Sequence, residues 1–599
     1  MTFEDDGYIA EYDPAEFFGR ATAATPFMVA SWVMIVVFLI AFGRLVDLQI
    51  VKGAKNFFLA EGNRVRETPI IAPRGIFLDR SGEPIIKNVV RYSLAVIPAD
   101  LPRDKDSRDS ILTKIADATS IKRSQIDGQF KDVNRASFDP VTVADNLNKE
   151  DALRLEIFFG EQPGVIIQKI PTRQYEDAGF AHLVGTIGKI SKPELLKRPD
   201  YRITDWIGKS GLELVYEDKL RGHHGGTKVE VNAKGSVVRL IGEVRPERGE
   251  DLRLTVDRNL QKAGMEALAK VAPKGGALVA MNPKTGEILA LGSFPEFDAN
   301  AIIGGDEPTI TSVFNDARRP LINRAIAAAF PSGSTIKPLW ATAALSEHTI
   351  TENTKLDTSA GSIRIGEFVF EDWKTHVTSD VRQAIAESNN IFFYAVAGGY
   401  QNIKGLGPDK MNEWAKRFGL GADTGIDLPG EVAGFVPSAE WKKRTTGERW
   451  FVGDSYNLGI GQGNLLITPL QLTRAVAAIT TGKLARPYIL SGTQAEFKEL
   501  DARPEVLATV REGMRLAVTS GSGRQLSDFK DKNGSPVEAA AKTGTAQAGK
   551  GDKTHGWMVA FAPYRDPEIV VVAFAEEGGE GHATAGPVIK AMLEQWFKR

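Results

Sequence analysis

From Ala21 to Gly43 no residue carries a charge, and Phe27 to Phe42 is apolar apart from Ser31. At a rise of about 1.5 Å per residue the run reaches roughly 34 Å, enough to cross the hydrocarbon core of a bilayer. A buried core helix fits the same pattern less well, because a single such run stands beside a strongly polar remainder. A cleaved signal peptide has a shorter apolar region ending in small residues, whereas this run ends in Phe42-Gly43-Arg44-Leu45. The expectation is a cytoplasmic tail over residues 1–25 and a retained single-pass anchor over 26–45. Arg20 is the one cation ahead of the run, against Arg44, Lys52 and Lys55 behind it. Lys/Arg counting therefore puts the C-terminal side in the cytoplasm, but that rule weakens for large domains. The chemistry below requires the opposite topology, and we side with the chemistry.

The 599 residues carry 74 Lys and Arg against 76 Asp and Glu, with no basic block. That balance argues against a nucleic-acid partner. With no cysteine, there is no disulfide framework, thiolate nucleophile or cysteine-based zinc site, which suits an oxidising compartment. Ile76-Phe77-Leu78, between Pro73-Arg74-Gly75 and Asp79-Arg80-Ser81-Gly82, reads as a strand between turns. Val165-Ile166-Ile167 and Leu183 to Ile187 read as further strands. Residues 104–160 read only as mixed helix and loop, and Gly208 to Tyr216 as a glycine-punctuated lead into a short helix. A boundary near Pro246-Glu247-Arg248-Gly249-Glu250 separates residues 46–248 from 249–599. Beyond it come a strand at Asp251 to Val256, a helix at Arg258 to Ala272, and a hairpin of Gly276 to Met281 with Ile288 to Leu291. Helices follow at 330–346, 391–397 and 465–479. Two apolar strands, Gly556 to Ala562 and Ile569 to Ala575, precede a last helix at about 585–597. Helices in the middle with strands at both ends predict an α+β domain whose sheet joins distant segments.

Three short elements lie in order within this second part: Ser334-Thr335-Ile336-Lys337, Ser388-Asn389-Asn390 and Lys542-Thr543-Gly544-Thr545. Each has a decoy, respectively Ser527 to Lys530, Ser455-Tyr456-Asn457 and Lys284-Thr285-Gly286. Context separates them. The first decoy sits among Asp528, Asp531 and Lys532 as a solvated loop. The second belongs to a glycine-rich wall from Gly453 to Gly463, and the third to a hairpin tip. A serine hydroxyl needs a base within reach, and residues three apart on a helix share a face, so Lys337 can serve Ser334. Pro331-Ser332-Gly333 places Ser334 near a helix start, where free amides favour developing negative charge. The Lys542 segment reads as an edge strand against Gly556 to Ala562, with Gly544 admitting a close ligand. The backbone N–H groups of Ser334 and Thr545 can then form an oxyanion hole. Thr543 and Thr545, with the Lys542 charge, can hold a carboxylate. Ser388 offers a relay hydroxyl and Asn390 an amide for a substrate peptide group.

With these residues the chain resembles the class B penicillin-binding proteins, the D,D-transpeptidases of peptidoglycan synthesis. The resemblance extends to Asn323-Arg324-Ala325, to Phe330 through Pro338, to Gly461-Gln462-Gly463 with Thr468-Pro469-Leu470-Gln471-Leu472, and to Pro73-Arg74-Gly75-Ile76 with Asp79-Arg80. Gly208-Lys209-Ser210-Gly211-Leu212-Glu213 is similar to the elongation-type subgroup, penicillin-binding protein 2. The resemblance implies an elongated strand-rich pedestal over 46–248. It also implies a transpeptidase domain over 249–599, with a five-stranded antiparallel sheet and an all-helical subdomain. It implies that Ser334 attacks the bond between the terminal D-alanines of a stem pentapeptide, that Lys337 is its base, and that Ser388 with Lys542 protonates the departing D-alanine. Asn390 would position the donor amide, Thr543, Gly544 and Thr545 would bind the donor, and β-lactams would acylate Ser334. It places the enzyme in the inner membrane with its C-terminal domains periplasmic. The partners it implies are a polytopic glycosyltransferase of the shape-elongation-division-sporulation family and other elongation-complex proteins. No organic cofactor is implied. Some members hold a metal through carboxylates, His and Cys. Asp357, Asp372 and His376 are present here, but Asn389 stands where the cysteine would be, so solvated loop residues are the expectation rather than a metal. The rival readings are a division-type paralogue, a membrane-anchored β-lactamase, and a non-catalytic β-lactam sensor or scaffold.

Overall fold

The computed structural model describes residues 24–53, 65–231, 237–549 and 551–599. The expected tail, 1–25, lies outside them save for its last two residues. The described residues divide into two compact units, those within residues 1–70 and 225–245, and those within residues 71–224 and 246–599.

The first unit holds the apolar helix Ala24–Val46 and a three-stranded antiparallel sheet of Val65–Ile70, Gly225–Val231 and Val237–Val244. Residues Phe27–Val51 form a helical stretch long and apolar enough to cross a membrane, with none of it buried in protein.

In the second unit, residues 71–224 carry a sheet with Ile86–Val96 at its centre, flanked by Val141–Leu147 and Val165–Tyr175. Helices Lys105–Thr119 and Lys149–Phe159 contribute to the small core beside it. Two expectations are corrected. The 104–160 stretch contains the strand Val141–Leu147 as well as helices, and Leu183-Val184 belongs to a helical turn, Ala181–Val184, with the strand starting only at Ile187. Phe180, Leu183 and Val184 are wholly buried, and packing against a common core overrides the β preference of a short apolar run.

Residues 246–599 centre on helix α1 (Arg258–Val271), strands β1 (Gly276–Met281) and β2 (Ile288–Phe294), and helices α2 (Lys337–Ser346), α3 (Val381–Glu387), α4 (Asn390–Gly398), α5 (Pro469–Thr481) and α6 (Pro504–Thr519). Strands β3 (Ala540–Gln547), β4 (Thr554–Ala562) and β5 (Ile569–Ala575) and helix α7 (Gly581–Phe597) complete it. The five strands form one antiparallel sheet in the order β2-β1-β5-β4-β3, so β3 is a free edge. Alternate residues of β5 enter opposite layers. Val570, Val572 and Phe574 join the core shared with α2, α4 and α5, and Ile569, Val571 and Ala573 join the core under α1 and α7. Burial on both faces is why β4 and β5 are continuous apolar runs. Local chemistry starts the helices where the sheet needs them. Asp257 accepts from Asn259 and Leu260 at the start of α1, and Thr468 with Gln471, and Asp380 with Gln383, make capping boxes at α5 and α3.

Candidate active site

Ser334 sits in a 3-10 turn, Gly333–Ile336, that runs directly into α2. Gly333 has φ +54°, and a Cβ there would lie 2.7 Å from the Thr545 carbonyl oxygen. Only glycine lets this turn press against the edge strand. Lys337 opens α2, with Pro338 in the first turn where its missing N–H costs nothing. The lysine is wholly buried, and its Nζ donates to the Ser388 carbonyl at 2.7 Å, the Ser388 Oγ at 3.3 Å and the Asn390 Oδ1 at 2.7 Å. Burial pushes its amine down to about 7, against the opposing pull of Asp372.

Ser388 is the left-handed cap of α3 (φ +59°), and Asn389 caps α4 by accepting from the Phe392 N–H. Two helices thus meet at Ser388-Asn389-Asn390 and aim the Ser388 hydroxyl and the Asn390 amide at one lysine. On the other side, β3 offers its free edge. The Thr545 carbonyl accepts from the Gln462 amide at 3.5 Å, and the Gln547 N–H donates to the Gln462 oxygen at 3.3 Å. The peptide groups of the odd-numbered residues therefore face away from β4 and toward the cleft. A Cβ on Gly544 would meet Thr335 Cγ2 at 2.8 Å and the Ser332 carbonyl at 2.9 Å, so the glycine admits the nucleophile turn itself as well as any ligand.

Ser334, Ser388, Asn390, Thr543, Gly544 and Thr545 line one cavity of about 550 Å³. Lys337 and Lys542 lie beneath it, both fully buried. Lys542 donates to the Thr543 carbonyl at 2.8 Å, and burial and then the nearby Lys337 hold its amine well below the usual lysine range. The Thr543 hydroxyl pairs with Ser522 Oγ at 2.6 Å. Every residue expected to form the site is thus brought together. Trp373, Ser522, Arg524, Gln525, Glu580 and His582 also line it and were not foreseen, because they lie outside the three motifs and carry no motif of their own.

The decoys separate as structure. Lys284 is paired with Asp566 at a hairpin tip. Asp528 pairs with Lys590, while Phe529 beside it is buried in the core under α7, so that segment is solvated only in part. Ser455-Tyr456-Asn457 lies within a helix, Val452–Gly459, with Ser455 and Tyr456 buried. The glycine-rich wall is thus shorter than expected, and of it Ile460 and Gln462 reach the cavity.

Asp372 and His376 are also corrected, because neither is a solvated loop residue. The Asp372 carboxylate is fully enclosed and accepts from the Asn390 N–H at 2.8 Å and the Ile391 N–H at 3.2 Å. His376 Nδ1 lies 2.7 Å from Glu387, and its buried Nε2 lies 3.7 Å from Asp372. The donor set does not fit a metal. The Asn389 amide is spent on Thr358 and Ser379, Asp357 is exposed and capped onto Ser359, and Asp372 is spent on backbone amides. Among the described residues no group of three His, Cys, Asp or Glu side chains is arranged to hold a metal ion.

Residues 276–594 match the penicillin-binding protein transpeptidase domain, and residues 69–254 the penicillin-binding protein dimerisation domain. The chain is 32% identical to peptidoglycan D,D-transpeptidase MrdA of Escherichia coli K12 over 92% of its length and 90% of the relative's. It is 30% identical to MrdA of Haemophilus influenzae over 94% and 89%. Among solved structures it is similar to penicillin-binding protein PBP2 of Helicobacter pylori in complex with MreC, with a TM-score of 0.78, 26% identity, and 89% of this chain and 99% of that one covered. It is also similar to Pseudomonas aeruginosa PBP2, with a TM-score of 0.66, 27% identity, and 89% and 96% covered.

Proposed function

Because the chain belongs to the penicillin-binding protein transpeptidase family, we propose that it is an elongation-type peptidoglycan D,D-transpeptidase acting through a Ser334 acyl-enzyme. The observation that carries this is Lys337, a buried amine held near neutrality, three residues after Ser334 and bonded to both Ser388 and Asn390.

The Ser334 hydroxyl adds to the carbonyl carbon between the two terminal D-alanines of a stem peptide, and Lys337 takes its proton. The N–H groups of Ser334 and Thr545 hold the resulting oxyanion. Collapse breaks the C–N bond, and the proton returns through Ser388, assisted by Lys542, to the departing D-alanine nitrogen. Asn390 orients the donor amide, while Thr543 and Thr545 bind along the strand edge. An amine of a second stem then attacks the ester, forming the cross-link and restoring the Ser334 hydroxyl. β-Lactams acylate the same oxygen. No step passes through a metal.

In this reading the chain sits in the inner membrane with both folded domains outside the cytoplasm, where peptidoglycan is assembled, and the apolar helical stretch Phe27–Val51 supports an anchor. The partners we assign are a polytopic glycosyltransferase of the shape-elongation-division-sporulation family and an MreC-type protein, the latter because the Helicobacter pylori relative forms such a complex. Residues 46–248 serve as pedestal and 249–599 as catalytic domain.

The test is intact-mass analysis after β-lactam treatment, followed by peptide mapping. A long-lived adduct on the Ser334 peptide, absent from Ser334→Ala, is the expected result. Rapid loss of the adduct would make the chain a β-lactamase, and no adduct on the wild type would make it a scaffold.

A further inference from the structure

Recognition of a peptide's free C-terminus in an open cleft calls for a cation, because charge-assisted hydrogen bonds to a carboxylate are about twice as strong as neutral ones. The motif lysines do not supply it. Lys337 and Lys542 are both fully buried, and their donors go to Ser388, Asn390 and Thr543. Each amine is also pushed toward its neutral form, by burial and, for Lys542, by the other lysine. The Thr543 hydroxyl is already paired with Ser522.

A different cation lines the cavity. Arg524 opens the 3-10 turn Arg524–Leu526 after α6 and borders the same cavity as Ser334, Thr543 and Thr545. Its side chain is exposed, one nitrogen donates to the Ser520 carbonyl at 3.1 Å, and among the described residues it has no carboxylate partner. The rest of the guanidinium fork is therefore available. Its loop is tied to both walls. Ser522 bonds Thr543 on β3, and Gln525 donates to the His582 carbonyl at 3.1 Å. The other charged groups on this wall, Glu580 and His582, lie 3.1 Å from one another, which leaves Arg524 facing the cleft beside the strand edge.

We propose that Arg524 is a substrate-binding residue that holds the free C-terminal carboxylate of the donor peptide, and the ring carboxylate of β-lactams, together with Thr543 and Thr545. This rests on the transpeptidase reading above. It transfers to Arg524 the charge role that the sequence assigned to Lys542.

The experiment compares acylation of Ser334 by a penicillin carrying its free ring carboxylate and by the methyl ester of the same penicillin, in wild type, Arg524→Gln and Arg524→Lys, read by stopped intact-mass measurements. The expected result is an acid-over-ester preference in the wild type that falls at least tenfold in Arg524→Gln and is partly restored in Arg524→Lys. Equal melting temperatures would show that the loop still folds. A preference unchanged in Arg524→Gln overturns the proposal and returns the carboxylate to the threonines. A wild type that is acylated but shows no preference overturns it as well, while leaving the acyl-enzyme standing. A wild type that forms no adduct removes the transpeptidase reading itself.

Discussion

At the scale of single residues, the site works by keeping an amine uncharged. Lys337 begins to bind a proton only near pH 7, because burial outweighs the attraction of Asp372. A general base acts in its deprotonated form, so the acylation rate constant rises with pH through about 7 and levels off above it. A β-lactam titration between pH 5.5 and 9 reads that limb directly, and a flat profile would remove Lys337 as the base. Asp372 makes the second prediction. It is the acceptor for two backbone N–H groups at the start of α4, and leaving such donors unpaired in a closed site costs about 1–3 kcal/mol. Asp372→Ala slows acylation on the order of tenfold to a hundredfold, measured on the same adduct. Asp372→Asn also moves the pH limb downward, because the charge that favours the ammonium form of Lys337 is gone. Nothing near Asp372 in the chain announces this role, since its partners lie 18 and 19 positions away. The Ser334, Lys337 and Lys-Thr-Gly side chains were legible because their spacing along one helix turn or one strand already states a chemistry.

At the scale of elements, the decisive contact is between the nucleophile turn and the free edge of β3. Gly544 has neighbours on the nucleophile turn at 2.8 and 2.9 Å from where a Cβ would stand, and those atoms are packed rather than free to swing away. Gly544→Ala therefore drives β3 and the Ser334 turn apart, and acylation falls by more than tenfold while far-UV circular dichroism stays unchanged. A full-rate variant would show that the edge is not part of the site. The edge position of β3 was readable because Lys-Thr-Gly-Thr follows three alanines and precedes an apolar strand. The apolar runs of β4 and β5 were readable because both their faces are buried. Val141–Leu147 was not, because three of its seven residues are exposed or polar enough to break the pattern, Thr142, Asp145 and Asn146. Leu183-Val184 misled for the opposite reason. Two wholly buried apolar residues look alike in a helical turn and in a strand, and only the neighbours they pack against decide.

At the scale of the whole molecule, the sequence boundary near residue 248 is not a boundary in the core. Phe77, Ile86, Phe180, Leu183, Val184 and Leu212 share one continuous buried cluster with Leu252, Val256, Val279 and Trp340. Gln261 in α1 donates to the Gly179 carbonyl at 2.6 Å, and Tyr175 and Asn300 exchange hydrogen bonds at 2.9 and 3.0 Å. A composition shift marks where the chain changes character, but it does not report which segments bury one another. Within residues 71–224, the Arg74 and Arg173 guanidinium groups are closed around Glu213, with Glu217 also on Arg74 at 2.7 Å. Removing one partner of such a buried set costs about 3–5 kcal/mol, because the remaining charges are left uncompensated. Glu213→Gln therefore lowers the melting temperature measured by calorimetry, although the residue lies outside the catalytic cavity. The shared core gives the larger effect. A chain cut to residues 249–599 uncovers the face that Phe180, Leu183 and Leu212 bury, at about 25 cal/mol for each Å² of apolar surface returned to water. It should melt well below a chain of residues 55–599 and label more slowly with a fluorescent penicillin. Equal melting temperatures for the two would show that the catalytic part carries its own complete core.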